Sequence, residues 1–409
     1  MSIILKNNKC EVFYGCIGMT ANSDVSESLF ENTLSSLKYG IEHMDGVELD
    51  LRMCSDNNLV LHHDTKLMVD RPEKNGFERW TENNSSEVLK EIGFYTLDDL
   101  LSEKEFLKKW EDLGKLVCFE LKLPHPSSGL AGGWKRGIKA FEYAKAMCSQ
   151  LEEKISEIGF MECSKIIFSF YPKISDVAES IDSKISTATL EPHVRQWGNS
   201  TLQKLVASPG FVSSTLYSIA RNAQLRKSPI IGCGLEYFLF PTNMVRLGRS
   251  VSLKGNGLKR LGKARRGLPI FVWPAPLEHE KSMRDAGITC ISDNIGPEFT
   301  TFPTGEVRWQ KPASQPVNSE YQKIFLESEI GEHGSIIKEA DRELPKWVEL
   351  SESEKLKQLD LWKKEGYWVN DSKSLLDEGN EKTIPWQIPR MIAHRGAGIT
   401  GRPIGWWKV

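Results

Sequence analysis

Two acidic residues, Glu48 and Asp50, stand at alternate positions of the apolar segment 47–51, whose sequence is VELDL. Alternate side chains of a β-strand lie on the same face, so a strand here places both carboxylates on one side and the apolar residues on the other. Two like charges side by side in an apolar interior are unfavourable unless a cation neutralises them. Taken alone, the segment is more typical of a strand with one face in solvent.

A second segment repeats this layout and changes that interpretation. In the sequence FELKL, residues 119–123, Glu120 and Lys122 share one face. Two parallel strands that carry charges on the same face, near their C-terminal ends, are typical of the active-site mouth of a β/α barrel. Glu48, Asp50 and Glu120 then supply three oxygen ligands, which suit Mg²⁺ or Ca²⁺ better than Zn²⁺. We expect Lys122 to hold an anionic group of a substrate beside the metal.

Two histidines and an acid, His62, His63 and Asp64, follow the apolar segment LVL shortly after the first acidic pair. Histidine exchanges a proton near neutral pH, so it suits general acid–base catalysis. One of two adjacent side chains at a strand end points inward, and we predict that His63 is the inward one. The alternative is a structural or merely exposed histidine.

Short apolar segments alternate with longer segments of helical periodicity over most of residues 12–302. This alternation favours a parallel sheet, and the roughly eight units favour a closed (β/α)8 barrel, the TIM barrel, over an open doubly wound sheet. The predicted strands are 12–17, 46–51, 59–62, 115–123, 165–170, 185–190, 234–240, 269–273 and 289–292.

The composition excludes several classes of function. The chain has 409 residues, with 53 Lys and Arg against 55 Asp and Glu, so its net charge is −2. That balance argues against a protein that works by coating nucleic acid or an anionic membrane, because phosphate binding needs a basic surplus. No apolar run is long enough to span a membrane, and the first residues lack the pattern of a signal peptide. The eight cysteines are scattered without a CxxC pair, which indicates reduced thiols in a cytoplasmic protein.

Several of these segments share an order along the chain: GVELDLRMCSDNNLVLHHD from residue 46, YTLDDLL from 95, FELK from 119 and AGITCISDN from 286. Together they resemble the glycerophosphodiester phosphodiesterase family. The resemblance implies a TIM barrel, a divalent metal held by the three carboxylates, an acid–base role for His63 and an active-site position for Lys122. It also implies that Trp273 and Asn32 lie near the substrate. The alternatives are a packing aromatic at Trp273 and a helix cap at Asn32.

The chain departs from the family at its opening strand, which in the family ends in His-Arg-Gly. Cys16 and Ile17 stand in the expected place, whereas His394 and Arg395 lie in the segment MIAHRGAG, residues 391–398. The resemblance gives His394 the role of a second catalytic imidazole and Arg395 that of a phosphate contact. Three interpretations are open: a circularly permuted first strand, the start of a lost second barrel, or a basic tail without such a role.

These observations predict a barrel over 1–302, a charged helix-rich extension over 303–390, and a candidate permuted first strand over 391–409. The expected function is metal-dependent hydrolysis of glycerophosphodiesters to glycerol 3-phosphate and an alcohol. The alternative is a catalytically impaired barrel that binds phosphodiesters or regulates a partner, because Cys16 and Ile17 replace the His-Arg pair.

Overall fold

Nine β-strands form the centre of the protein in a computed structural model, within the residues that it describes. Those residues are 29–67, 76–135, 137–156, 163–191, 214–239, 251–295, 299–308, 313–366, 370–379 and 382–398. The strands are β1 (Gly46–Met53), β2 (Leu59–Leu61), β3 (Leu116–Leu121), β4 (Lys165–Ser169), β5 (Thr187–Glu191), β6 (Ile231–Gly234), β7 (Ile270–Trp273), β8 (Ile288–Ser292) and β9 (Met391–Ala393).

Eight of these strands close into a parallel barrel. β1 and β3 to β9 pair in that order, and β9 pairs with β1 as well as with β8. β2 pairs antiparallel with β1 and lies outside the ring of parallel strands. Closure removes the free strand edges that an open sheet would expose. The predicted TIM barrel is therefore confirmed, and the open doubly wound sheet is wrong.

Helices follow most of the barrel strands in sequence, and four more lie in the extension. They are α1 (Leu34–His43), α2 (Ser86–Glu91), α3 (Leu97–Leu101), α4 (Lys104–Asp112), α5 (Gly137–Ile155), α6 (Ile174–Glu179), α7 (Leu216–Leu225), α8 (Gly255–Ala264), α9 (Leu277–Asp285), α10 (Ser319–Glu327), α11 (His333–Glu343), α12 (Glu352–Gly366) and α13 (Ser372–Glu378). None of the helices described is both long and apolar enough to cross a membrane.

The alternation within the strands separates two buried clusters. Val47 and Leu49 of β1 point outward into the cluster shared with the surrounding helices. Cys118 and Phe168 point inward and pack with other side chains inside the barrel. Glu48 and Asp50 alternate with these outward residues of β1. Their carboxylates therefore point toward the barrel axis, while the apolar side chains of the same strand pack against the helices.

The strand that closes the barrel is held by one buried carboxylate. Asp45 directly precedes β1 and is fully buried. Its Oδ2 accepts a hydrogen bond from the backbone N–H of Met391, the first residue of β9, at 2.9 Å, and its Oδ1 accepts one from the backbone N–H of Ser314 at 2.8 Å. Asp45 thus joins β1, β9 and the start of the extension.

The extension is rich in helix, as its charged and helix-prone sequence predicts. Helices α10 to α13 lie between residues 319 and 378. Trp347 is fully buried in a cluster of its own with Leu359 and Leu375, and its ring stacks on that of Trp362 at 5.6 Å. These contacts give the extension a separate apolar core.

Two strand predictions need correction or fall outside the described residues. The strand predicted at 234–240 is wrong, because β6 ends at Gly234 and residues 235–237 form a helical turn. The sequence does not predict the start of β6, because the strand contains Gly232 and glycine normally weakens a strand. Glycine is needed at this position, because a Cβ there would lie 2.7 Å from Leu190 Cδ2. The strand predicted at 12–17, with Cys16 and Ile17, lies outside the described residues.

Candidate active site

Three buried carboxylates meet at the end of the barrel formed by the C-terminal ends of its strands. β1 and β3 run parallel with Asp50 opposite Glu120, and Glu48 is the preceding inward residue of β1. One oxygen from each of the three lies within 4.8 Å of those of the other two. Adjacent parallel strands in register bring their inward side chains to similar levels, so the alternation in the sequence places these groups together.

Lys122 lies among these carboxylates. Its Nζ is 3.0 Å from Asp50 Oδ1 and 2.5 Å from Glu120 Oε1. Burial opposes the charged ammonium, but the two carboxylates outweigh it and raise the pKa of Lys122. Burial likewise opposes ionisation of Asp50, and the positive charge of Lys122 is the largest effect that outweighs it, so the pKa of Asp50 lies well below its usual value.

Arg395 enters the site from the turn after β9. Its backbone N–H donates to Glu48 Oε2 at 3.0 Å, and its Nε lies 3.3 Å from Asp50 Oδ2. Its Nη1 donates to both oxygens of Glu31 at 3.2 and 3.3 Å. Gly396 follows with a φ of +81°, and a Cβ there would lie 2.7 Å from the backbone nitrogen of Leu37. Only glycine fits this close approach between the turn and α1.

His394 is buried between two acidic residues. Its Nδ1 is hydrogen-bonded to Asp293 Oδ1 at 2.7 Å, and its Nε2 lies 3.7 Å from Glu48 Oε2. Burial disfavours the imidazolium, but the charge and hydrogen bond of Asp293 outweigh it and raise the pKa of His394. The bond at Nδ1 fixes the orientation of the ring and leaves Nε2 on the side of the carboxylates.

His63 lies after β2 and is about a third exposed, at 31%. Its Nδ1 is hydrogen-bonded to Asp64 Oδ1 at 2.9 Å. Burial and the positive charge of Lys122 lower the pKa of His63 to about 4. His62 instead lies buried with its ring edge against Phe94. The choice of His63 over His62 as the inward residue stays a prediction.

Asn32 contacts the acidic cluster directly. Its Nδ2 donates to Asp50 Oδ2 at 2.9 Å, and its Oδ1 accepts from the backbone N–H of Asp50 at 3.0 Å. Its backbone has a φ of +55° and donates its N–H to the carbonyl of Arg395 at 2.9 Å. The helix-cap alternative for Asn32 is wrong, because Thr33 caps α1.

Trp273 ends β7 and stands at the edge of the same mouth. Its ring meets that of Phe170 edge-on at 5.7 Å, and the Phe170 ring lies 5.8 Å from Lys122 Nζ. Trp273 is half-buried rather than buried. It therefore packs against an aromatic neighbour, as the packing alternative predicts, and its position near the substrate stays a prediction.

The charges of the site leave an unbalanced negative surplus. With every group ionised, the cluster of three carboxylates and Glu31 lie against two cations, Lys122 and Arg395, and 4 − 2 leaves two negative charges. Burial and the nearby carboxylate of Asp50 raise the pKa of Glu48 to about 8. Glu48 Oε1 has no hydrogen-bond partner among the residues described. A buried oxygen without a donor and a surplus of two charges fit a divalent cation with oxygen ligands.

The structure also contains site residues that sequence reasoning missed. Glu31 pairs with Arg395, and Asp293 pairs with His394. Arg52 forms a buried ion pair with Glu82 and donates from Nε to the backbone carbonyl of His63 at 3.1 Å. Arg52 carried one available signal, because it follows Glu48 and Asp50 at the next alternate position.

Comparison with known proteins gives one match in sequence and several in structure. Residues 21–119 match the sequence model of the glycerophosphoryl diester phosphodiesterase family. No curated protein sequence matches the chain. The chain is similar to a Thermotoga maritima glycerophosphodiester phosphodiesterase, with 17% identity over 66% of this chain and 92% of that one, at a TM-score of 0.40.

Two other structures are similar at comparable levels. A Parabacteroides distasonis glycerophosphodiester phosphodiesterase has 13% identity over 65% of this chain and 86% of that one, at a TM-score of 0.41. An Oleispira antarctica phosphodiesterase in complex with the product sn-glycerol-3-phosphate has 12% identity over 66% and 89%, also at 0.41. Over the segment that carries Glu48, Asp50 and His63, the family that this chain resembles is therefore the glycerophosphoryl diester phosphodiesterases.

Proposed function

We propose that the protein is a metal-dependent phosphodiesterase that hydrolyses glycerophosphodiesters to glycerol 3-phosphate and an alcohol. One observation carries the proposal: three buried carboxylates lie together with Lys122, Arg395 and His394, which come from distant parts of the chain, at one barrel mouth. A cation site beside fixed positive charges and imidazoles is what cleavage of a phosphodiester requires. The family match over residues 21–119 supports the same activity.

The phosphate contacts come from Lys122 and Arg395. Both already lie at the edge of the acidic cluster, within 3.3 Å of Asp50. Arg395 offers a planar guanidinium that suits a phosphate oxygen pair, and Lys122 offers a compact charge. Glu31 and Asp50 hold the guanidinium in place before substrate arrives, so little ordering is needed at the time of binding.

The two histidines carry the protons. In hydrolysis, the oxygen of water bonds to phosphorus as the bond from phosphorus to the leaving alcohol oxygen breaks. One imidazole takes a proton from the water, and the other gives a proton to the leaving oxygen. His63 and His394 come from opposite parts of the chain, and Asp64 and Asp293 hold their Nδ1 atoms at 2.9 and 2.7 Å. Each ring therefore presents Nε2 for proton exchange.

The carboxylates of Glu48, Asp50 and Glu120 would hold the metal, Mg²⁺ or Ca²⁺. When bound, such an ion would supply positive charge that offsets the negative charge developing on the phosphate. Asn32 helps to keep Asp50 in position, because it bonds both the side chain and the backbone of that residue.

The test measures formation of glycerol 3-phosphate from a glycerophosphodiester with Mg²⁺ or Ca²⁺, and again after EDTA. We expect EDTA and Glu48→Gln each to abolish turnover, and Glu105→Gln, on a side chain that is 81% exposed, to leave it unchanged. The melting temperature should rise with the metal in the wild type and not in Glu48→Gln. Turnover that survives both EDTA and Glu48→Gln would refute a metal-dependent reaction.

The roles of the histidines are tested separately. His63→Ala and His394→Ala should each lower kcat by about 10²–10⁴-fold, the usual contribution of general acid–base catalysis. If His394→Ala retains full kcat while His63→Ala loses it, His394 has no part in proton transfer. The alternative function, a phosphodiester-binding barrel without catalysis, predicts saturable binding of the same substrate and no product.

A further inference from the structure

A cluster of aromatic and basic side chains lies on the rim of the proposed active site. The Trp80 ring stacks on the His125 ring at 4.6 Å and 6°, and the Trp134 ring meets His125 edge-on at 5.9 Å. Lys66 Nζ and Arg79 Cζ lie 5.5 and 5.4 Å from the centre of the Trp80 ring. We call these five residues, together with Ile138, the aromatic rim patch.

The aromatic rim patch adjoins the catalytic groups through short connections. His125 and Trp134 belong to the segment that directly follows Lys122, at the C-terminal end of β3. On the other side, Thr81, next to Trp80, donates from Oγ1 to the backbone carbonyl of Asp64 at 3.1 Å. Asp64 in turn bonds His63. A surface that contacts this patch therefore lies beside the opening of the site.

Two large apolar side chains of the patch point into solvent. Trp134 is 77% exposed and Ile138 is 76% exposed. Large side chains of this kind gain free energy when an apolar phase covers them, and neighbouring exposed ones commonly mark an interaction surface. A tryptophan in such a position has an amphipathic ring that suits the boundary between water and lipid.

The charge around the two exposed side chains is positive. Lys66, Arg79, Lys135 and Lys139 are all exposed on or beside the patch, and Lys139 packs against the loop at Gly132. Among the described residues near the patch in sequence, the acids with exposed side chains are Asp64, Glu78 and Glu142, so four basic residues stand against three acidic ones. The whole chain carries −2, so this local surplus is a feature of the rim and not of the surface in general.

We propose that the aromatic rim patch seats the protein on a lipid surface that contains anionic headgroups, with Trp134 and Ile138 entering the interface. Basic side chains attract the anionic surface, and buried apolar side chains then hold it. The proposal rests on the proposed function, because the site that opens beside the patch would then act on diester headgroups displayed at that surface.

The test is co-sedimentation with vesicles of phosphatidylcholine, with and without phosphatidylglycerol. We expect the full-length protein to sediment with vesicles that contain phosphatidylglycerol, and added salt to weaken the association. The double variant Trp134→Ala/Ile138→Ala should bind these vesicles at least about tenfold more weakly than the wild type, because the inserted apolar area is gone. The control Leu225→Ala/Leu326→Ala removes side chains that are 72% and 86% exposed elsewhere and should bind as the wild type does.

Three results would overturn the proposal: no preference for anionic vesicles, an unchanged affinity in the Trp134→Ala/Ile138→Ala variant, or self-association of the protein through the patch without vesicle binding. Turnover of a water-soluble glycerophosphodiester is measured in parallel and should be the same in the variant and the wild type. A wild-type protein without that turnover would refute the proposed function. Vesicle binding is measured without any reaction, so failure of the membrane proposal is distinguishable from failure of the proposed function.

Discussion

Replacing Asp45 by asparagine should loosen the closing strand of the barrel without altering its surface. Both oxygens of this buried carboxylate accept from backbone N–H groups, those of Ser314 and Met391. An asparagine keeps one acceptor and turns an NH₂ group toward the other donor. One buried N–H then has no acceptor, which costs about 1–3 kcal/mol. We expect a loss of about 2 kcal/mol, or roughly thirtyfold in the equilibrium for opening this strand.

Hydrogen exchange measures that opening where it occurs. In Asp45→Asn the amides of β9 should exchange about thirtyfold faster, whereas those of β4, on the far side of β3, should change little. The turnover number should fall as well, because His394 and Arg395 directly follow β9. Asp112→Asn, an exposed change at the end of α4, is the matched control. Exchange in β9 that stays within about threefold of the wild type, less than about 0.7 kcal/mol, would refute the role given to Asp45.

Three further predictions concern the supports of the site. Asp293→Asn removes the charged partner of the His394 imidazole and should lower kcat on the order of a hundredfold with little change in KM; an unchanged kcat would contradict this role. Glu82→Gln leaves the buried charge of Arg52 unpaired and should lower the free energy of unfolding, measured in urea, by about 3–5 kcal/mol. The double variant Glu82→Leu/Arg52→Met, which removes both charges, should recover most of that loss. Gly396→Ala should destabilise more than Gly76→Ala in the same urea measurement, because both have positive φ but a Cβ at Gly76 meets nothing within 4 Å; equal losses would show that contact with α1 does not matter.

Local alternation in the sequence was enough to predict the acidic cluster. Glu48 and Asp50 share a face because the side chains of a strand alternate, and the same rule places Glu120 and Lys122 together on β3. Parallel pairing of the two strands then gathers them. Alternation also predicts that one of His62 and His63 points inward, but it does not say which, and the choice of His63 stays a prediction.

The sequence by itself determined the kind of barrel, the composition of the acidic cluster and the position of the His-Arg-Gly segment near the C-terminal end, at residues 394–396. Only the tertiary structure decided that His394 and Arg395 reach Glu48 and Asp50, across about 340 residues of chain. Alternation is a property of neighbouring residues and can be read from the sequence. The identity of the closing strand depends instead on which strand edges pair, β9 with β1 and β8. It also depends on the buried carboxylate of Asp45, which no periodic pattern reveals. The aromatic rim patch is of the same kind, because its rings come from separate loops that meet only in the folded barrel.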